Sequence, residues 1–150
     1  MLNLSKKILV AIDGSPQSDK AAEEAVRLAT ASGTRFKSKV HAILVLPGNR
    51  APSFTDFMPS PPPTERPGWE EKRRRIFYVV EKAATEAGIG LENVVVYGDA
   101  AEEILSFAEQ NDISVIVIGS SGAGRVRRAL LGSVSTKVAL HARCSVYVVR

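Results

Sequence analysis

The sequence predicts an α/β fold built on one open, doubly wound, five-stranded parallel sheet with helices on both faces, and three observations carry that prediction. Short aliphatic runs of strand length alternate with segments whose apolar residues recur at helical spacing. Turn and cap residues stand at the junctions between them. At 150 residues and 16.1 kDa the chain has the usual size of one domain, so a single core across residues 1–150 must carry everything. No internal repeat of fixed period appears, which excludes a solenoid.

Residues 7–12 form a β-branched and aliphatic run closed by Asp13-Gly14, the pattern of a strand buried on both faces that ends in a turn. Ser15 offers an N-cap hydroxyl and Pro16 a residue preset for the first helical position. Ala22, Ala25, Val26 and Ala29 then repeat at helical spacing until Gly33. A second apolar run at 40–46 completes a right-handed βαβ unit. From 47 to 68 the texture changes: seven of the eight prolines fall here, which predicts one long loop, with Phe54, Phe57 and Met58 able to fold part of it over a site. A helix is expected over 69–87, with Ile76, Phe77, Val80, Ala83 and Ala84 inward, Trp69 as a packing anchor and Gly88 as its stop. Residues 93–97 read as the third strand. Asp99 with Glu102 then makes a capping-box start for a helix that buries Ile104, Leu105 and Ala108. A charge-free run at 114–118 gives the fourth strand, 133–142 the last helix and 145–149 the last strand.

Composition narrows the function classes. With 45% hydrophobic and 24% charged residues the chain is an ordinary globular sequence, and its apolar runs fall far short of the ~20 residues that span a bilayer. No secretory signal pattern precedes them, so the expectation is a soluble, cytoplasmic protein without membrane contact. A lone cysteine, Cys144, cannot form an internal disulfide or complete a thiolate zinc site. The surplus of 20 basic over 16 acidic residues permits contact with phosphate or nucleic acid without demanding either. Lys72 to Arg75 sit in a helical segment behind Glu70 and Glu71, the pattern of a solvated face. Arg125, Arg127 and Arg128 lie between glycines, a better setting for phosphate.

Ligands of open parallel sheets bind beyond the carboxyl ends of the strands, where Asp13-Gly14, Leu46-Pro47 and Gly119 all fall. Gly119-Ser120-Ser121-Gly122-Ala123-Gly124-Arg125 leads through an apolar and basic connection to Gly132-Ser133-Val134-Ser135, which opens a helix. Glycines let backbone amides approach an anion, the helix start adds partial positive charge, and Ser133 and Ser135 add hydroxyls, so this stretch reads as a phosphate site. It is not a P-loop, because Arg125 and Val126 stand where Lys and Ser or Thr are required. The first turn, with Pro16 in it, is no dinucleotide fingerprint.

The spacing Gly119-x2-Gly122-x9-Gly132-Ser133, followed by Val134 and Ser135, resembles the nucleotide-binding pattern of the universal stress protein family. The resemblance runs from Lys7-Ile8-Leu9-Val10-Ala11-Ile12-Asp13-Gly14-Ser15 to Cys144-Ser145-Val146-Tyr147-Val148-Val149. It implies a strand order of 3-2-1-4-5 and, for the branch carrying these glycines, bound ATP or another adenine nucleotide such as ADP or AMP. It also implies roles. Asp13 would face the base and ribose, backbone around Leu46 the adenine edge, Gly119 and Gly122 the ribose and phosphate path, and Gly132, Ser133, Val134 and Ser135 the phosphates. Magnesium would arrive with the nucleotide, since no carboxylate pair is dedicated to it and no metal site is expected in the protein itself. Three departures stand out: Ser121 where His or Arg is common, Ser145 where Pro usually follows the cysteine, and the proline content of the loop.

No catalytic set emerges. His41 lies within a strand, His141 late in the last helix and Cys144 at a strand start, away from the carboxyl ends, so a nucleotide-dependent switch or slow ATPase is favoured over rapid turnover. The last strand, guarded only by Arg150, invites pairing with a second copy, and the resemblance implies the same homodimer. Rival readings are a nucleotide-free dimeric interaction protein, a PP-loop-type adenylating enzyme, which would need a Ser-Gly-Gly-type first turn, and a nucleic-acid module. Nucleic acid is not the expected partner, because no aromatic is seen interleaved with the basic clusters.

Overall fold

The computed structural model describes residues 5–31, 38–48, 63–121 and 131–150. Five strands, β1 (Lys7–Ala11), β2 (Lys39–Leu46), β3 (Gly90–Tyr97), β4 (Val115–Gly119) and β5 (Ser145–Val149), pair in parallel in the order β3-β2-β1-β4-β5. Between them run α1 (Pro16–Thr30), α2 (Trp69–Ala87), α3 (Ala100–Gln110) and α4 (Ser133–His141), so the α/β class and doubly wound topology expected from the sequence are those observed. The register brings Ile8 beside both Val40 and Val115, which seats β1 at the centre of the sheet.

Alternation along the strands divides the core into two layers. Ile8, Val10, Val40, Ala42 and Leu44 face α1 and α2, where Ala22, Ala25, Phe77 and Val80 meet them. Leu9, Ile43, Ile116 and Ile118 face α3 and α4, where Ile104, Ala108 and Val138 close the other side. Because both faces of β1 are covered, its sequence is a continuous apolar run rather than an alternating one. Each fully buried aliphatic or aromatic side chain here contributes roughly 1.5–3 kcal/mol of transfer free energy.

Local chemistry fixes the helix ends. Ser15, extended at φ −76° and ψ 158°, accepts from the Ser18 amide at 3.2 Å, with Pro16 in the first helical turn. Asp99 caps α3 by accepting from the Glu102 amide at 3.1 Å. At the end of α2, Gly88 takes φ 66°, and the amides of Gly88 and Ile89 return to the carbonyls of Thr85 and Ala84.

Four details differ from the sequence reading. β3 begins at Gly90 rather than 93, because at a sheet edge Glu92 can pair with Lys39 in solvent while the strand continues. A 3-10 turn, Pro63–Glu65, ends the long loop, its Thr64 hydroxyl 2.8 Å from that of Tyr97. Ala83 and Leu105 are half-buried rather than fully inward. The fourth strand extends to Gly119 and the last helix stops at His141. Phe54, Phe57 and Met58, with Gly33 and the basic connection holding Gly122, Gly124, Arg125, Arg127 and Arg128, lie outside the described residues.

Candidate functional site

Where β1 and β4 end, the chain leaves in opposite directions, to α1 below the sheet and toward α4 above it, and a crevice opens between. The crevice is a cavity of about 340 Å³. Its apolar wall comes from Ala11, Ile43, Val45, Ile104 and Ile118, and its polar rim from Asp13, Ser121 and the first turn of α4. Asp13, Gly119, Gly132, Ser133, Val134 and Ser135, chosen from sequence, are therefore brought together around one space.

Each has a distinct local task. Asp13 is exposed; its Oδ1 accepts from the Ser15 amide at 2.8 Å while its own amide donates to Ser18 Oγ at 3.2 Å, so one carboxylate oxygen holds the β1–α1 turn. The left-handed Gly14, at φ 84°, completes that turn. Nearby Asp19 has its carboxyl pushed above the usual range, first by burial and then by the negative charges of Glu23 and Asp13. A cation close to this turn would relieve that repulsion.

Gly119 is required by packing as well as by any ligand. A Cβ there would lie 3.0 Å from Gln17 Cβ and 3.1 Å from the Gln17 carbonyl oxygen, so the glycine lets α1 approach the end of β4. Gly132, at φ −63° and ψ 163°, is the N-cap of α4 and supplies no side-chain cap. The first turn of α4 consequently presents an uncapped N-terminus to the cavity, with the partial positive charge that favours an anion.

The two serines part ways. Ser133 is exposed on the rim. Ser135 is 2% exposed, and its hydroxyl lies 3.0 Å from both the Ser120 and the Gly132 carbonyl oxygens. The Gly132 amide also donates to Ser120, at 2.6 Å. Ser135 thus clasps the two ends of the β4–α4 connection, and its single proton is already committed.

Leu46 stands apart from the group. Its side chain packs with α1 and α2, its carbonyl accepts from the Gly98 amide at 2.9 Å, and Ile43 and Val45 of the same strand line the cavity instead. Sequence reasoning missed Ser15, Ser18, Ala100 and Ile104 as lining residues. The first two signalled only a helix cap, and nothing in the sequence shows α3 starting against the crevice.

The remaining reactive side chains are placed elsewhere. His41 is 6% exposed beneath Phe107, 5.7 Å away between ring centres, with Nδ1 3.6 Å from Glu92 Oε2 and neither ring nitrogen hydrogen-bonded. Burial holds its pKa below the ordinary value despite Glu92. Cys144 and His141 line a separate cavity of about 250 Å³ beside Asp112 and Ile113, where burial pushes the thiol up. Among the described residues no cluster of three His, Cys, Asp or Glu could hold a metal ion, and no helix is long and apolar enough to cross a membrane.

A five-stranded parallel sheet of order β3-β2-β1-β4-β5 with helices on both faces and a crevice at its strand ends places the chain among the open doubly wound α/β proteins. Within that class the chain belongs to the universal stress protein family, whose pattern matches residues 5–150. It is 33% identical over 155 residues to universal stress protein MJ0531 of Methanocaldococcus jannaschii, covering 99% of this chain and 84% of that one. It is also 33% identical to universal stress protein YxiE of Bacillus subtilis, covering 96% and 98%. Among solved structures, protein MJ0577 superposes with a TM-score of 0.76 at 25% identity, covering 97% and 96%. Two others share the fold with a TM-score of 0.68. One is a universal stress protein in complex with cAMP, at 22% identity and covering 97% of each chain. The other, from Archaeoglobus fulgidus in complex with dAMP, is 20% identical and covers 98% and 99%.

Proposed function

We propose that residues 1–150 form one nucleotide-binding domain whose crevice holds an adenine nucleotide, ATP above ADP or AMP, and that the bound nucleotide switches the protein's conformation or is slowly hydrolysed. The observation that carries this reading is the meeting of an uncapped helix start with an apolar wall in one cavity of about 340 Å³, which suits a ligand with an anionic end and a flat apolar end. Fold relatives in complex with cAMP and dAMP support the same ligand class. In this reading the base lies against Val45 and Ile104, Asp13 takes the ribose through its second carboxylate oxygen, and Gly119 and Gly122 leave the phosphate path open. Ser133 and Val134 offer backbone amides, and Ser133 an exposed hydroxyl; Gly132, its amide held by the Ser120 carbonyl, leaves room for the phosphates, and Ser135 keeps the turn in shape.

Magnesium would arrive with the nucleotide, a divalent cation supplying the positive charge that the phosphates of an ATP tail need. In a cytoplasmic setting the protein would act as a homodimer paired through β5, whose outer edge has no strand beside it within the sheet.

The test is to denature the purified protein, identify the released nucleotide by chromatography and mass spectrometry, and repeat with Gly122→Val. Wild type should release adenine nucleotide and the variant should not. Added ATP and magnesium at about 100 times Kd should raise the melting temperature of nucleotide-stripped protein by roughly 5–10 °C. An empty wild type with no thermal response to millimolar ATP refutes the reading.

A further inference from the structure

We propose that His41 gates the crevice by pH: when its ring takes up a proton, α3 lifts from the sheet and the crevice loses a wall that holds the nucleotide. This inference rests on nucleotide binding in the crevice and adds its regulation. The ring is buried beneath Phe107 of α3, and neither of its nitrogens has a hydrogen-bond partner. A neutral imidazole bears that at a cost, whereas an imidazolium has two N–H donors and a charge to satisfy.

The groups facing the ring decide how those donors are met. From β3, Glu92 Oε2 lies 3.6 Å from Nδ1, within reach after a small turn of the ring, but it already accepts from Lys39 Nζ of β2 at 3.0 Å. From β1, Lys7 adds a second positive charge, and its Nζ donates to the Asn111 carbonyl at 3.3 Å. From α3 the ring meets the uncharged Phe107, while the carboxylate of Glu103, one turn earlier, lies over Gly98 instead. Burial, with Lys39 and Lys7, opposes the protonated ring, and Glu92 favours it. Protonation therefore leaves one N–H without an acceptor among the described residues. Water can serve, and it reaches the ring when Phe107 moves away.

Moving Phe107 means moving α3. β2 is held by ladders on both sides, whereas α3 packs on the sheet through side chains. The crevice is built from the same two elements. Ala100 and Ile104 of α3 line it, Ile104 one turn before Phe107, and so do Ile43 and Val45, which follow His41 on the same face of β2. A helix lifted at Phe107 widens the gap between Ile104 and Val45, where the base lies. Because the nucleotide needs α3 seated and the proton needs it lifted, each opposes the other. Neutral His41 prevails above the usual 6.5, so affinity is full there and falls as pH drops toward the lowered folded value.

The experiment pairs calorimetric titration of nucleotide-stripped protein with ATP and magnesium, at about pH 7.5 and about pH 5.5, with NMR titration of the His41 ring. The chain has two histidines, so His141→Gln leaves His41 as the single imidazole signal. Between the two pH values wild type should lose roughly 5-fold more affinity than His41→Phe or the closer-sized His41→Leu, neither of which titrates there. Protonation of ATP itself weighs equally on all three proteins and cancels. Reciprocally, ATP should lower the His41 pKa. Glu92→Gln, which removes the anion that favours the protonated ring, should move the loss to lower pH. Hydrogen exchange of the α3 amides in stripped protein gives a readout without nucleotide: wild type should exchange faster than His41→Phe at the lower pH and equally at the higher. The proposal is overturned if wild type and His41→Phe lose affinity alike, if ATP binds without moving the His41 pKa, or if their α3 amides exchange equally at the lower pH. Absence of ATP binding at both pH values defeats the nucleotide reading and the coupling with it, while the exchange difference still tells whether His41 holds α3 on the sheet.

Discussion

At Ser135 and Ser133, two positions apart, similar side chains carry separable work. Ser135 is buried and gives its proton to backbone carbonyls, so Ser135→Ala should cost about 1 kcal/mol of stability, roughly 2–4 °C in melting temperature, with or without ligand. Ser133 is exposed on the rim, so Ser133→Ala should leave nucleotide-free stability unchanged and weaken ATP binding several-fold. Calorimetric titration alongside thermal melts separates the two; equal effects on both quantities would refute the division. His41 makes a different prediction. Its folded-state pKa is held below the usual 6.5 by burial, so the unfolded chain binds protons more readily as pH falls past 6.5. Stability from neutral His41 is thus present above that pH and lost as pH falls toward the depressed value. Urea denaturation from pH 8 to pH 5 should show this decline, and His41→Phe should flatten it.

Among elements, the docking of α1 on β4 decides how Gly119 is understood. Gly119→Ala places a methyl 3.0 Å from Gln17 Cβ and 3.1 Å from its carbonyl oxygen. Helix α1 cannot yield locally, because Ala21, Ala22, Ala25 and Ala29 press it onto the sheet with little side chain between. The substitution should therefore destabilise nucleotide-free protein by about 1–3 kcal/mol. Denaturant melts of stripped protein check this, and a loss confined to ATP affinity would show that the position serves the ligand alone. This is also where sequence reading reached its limit. The ends of α2 and β5 were legible to the residue, because Gly88 and the turn around Cys144 leave the backbone no alternative. The start of β3 was not, since polar Glu92 reads as loop until its partner Lys39 on β2 is known. In the site, the Gly132-Ser133 helix opening was legible as a pattern. The clasp between Ser135 and Ser120 was not, because it depends on a chain return spanning 15 positions. Val45 illustrates a third limit: in a run that is apolar on both faces, pleat parity is invisible, so the sequence does not show that Ile43 and Val45 are the β2 side chains lining the crevice.

Across the whole molecule, the two sheet edges differ in how they are guarded. β3 carries Glu92 and the Asn93 amide bonded to Glu81, which keep charge and hydrogen bonding along its margin. β5 has no charged residue among Ser145, Val146, Tyr147, Val148 and Val149, and Tyr147 is 42% exposed. An edge without charges invites pairing, and a second copy can supply it by matching like strand to like strand about a two-fold axis. Light scattering after size exclusion should therefore give twice the 16.1 kDa chain mass at micromolar concentration. Tyr147→Lys sets two positive charges near each other across that axis while leaving the half-buried Val146 and Val148 in place, and should shift the protein to monomer without lowering its melting temperature below that of a dilute wild type. Pairing through β5 would leave both crevices open, because each lies at the strand carboxyl ends between α3 and α4. Monomer formed by Tyr147→Lys should then bind ATP with unchanged affinity. If affinity falls with the dimer, the partner copy contributes to the crevice, and β5 serves the switch as well as assembly.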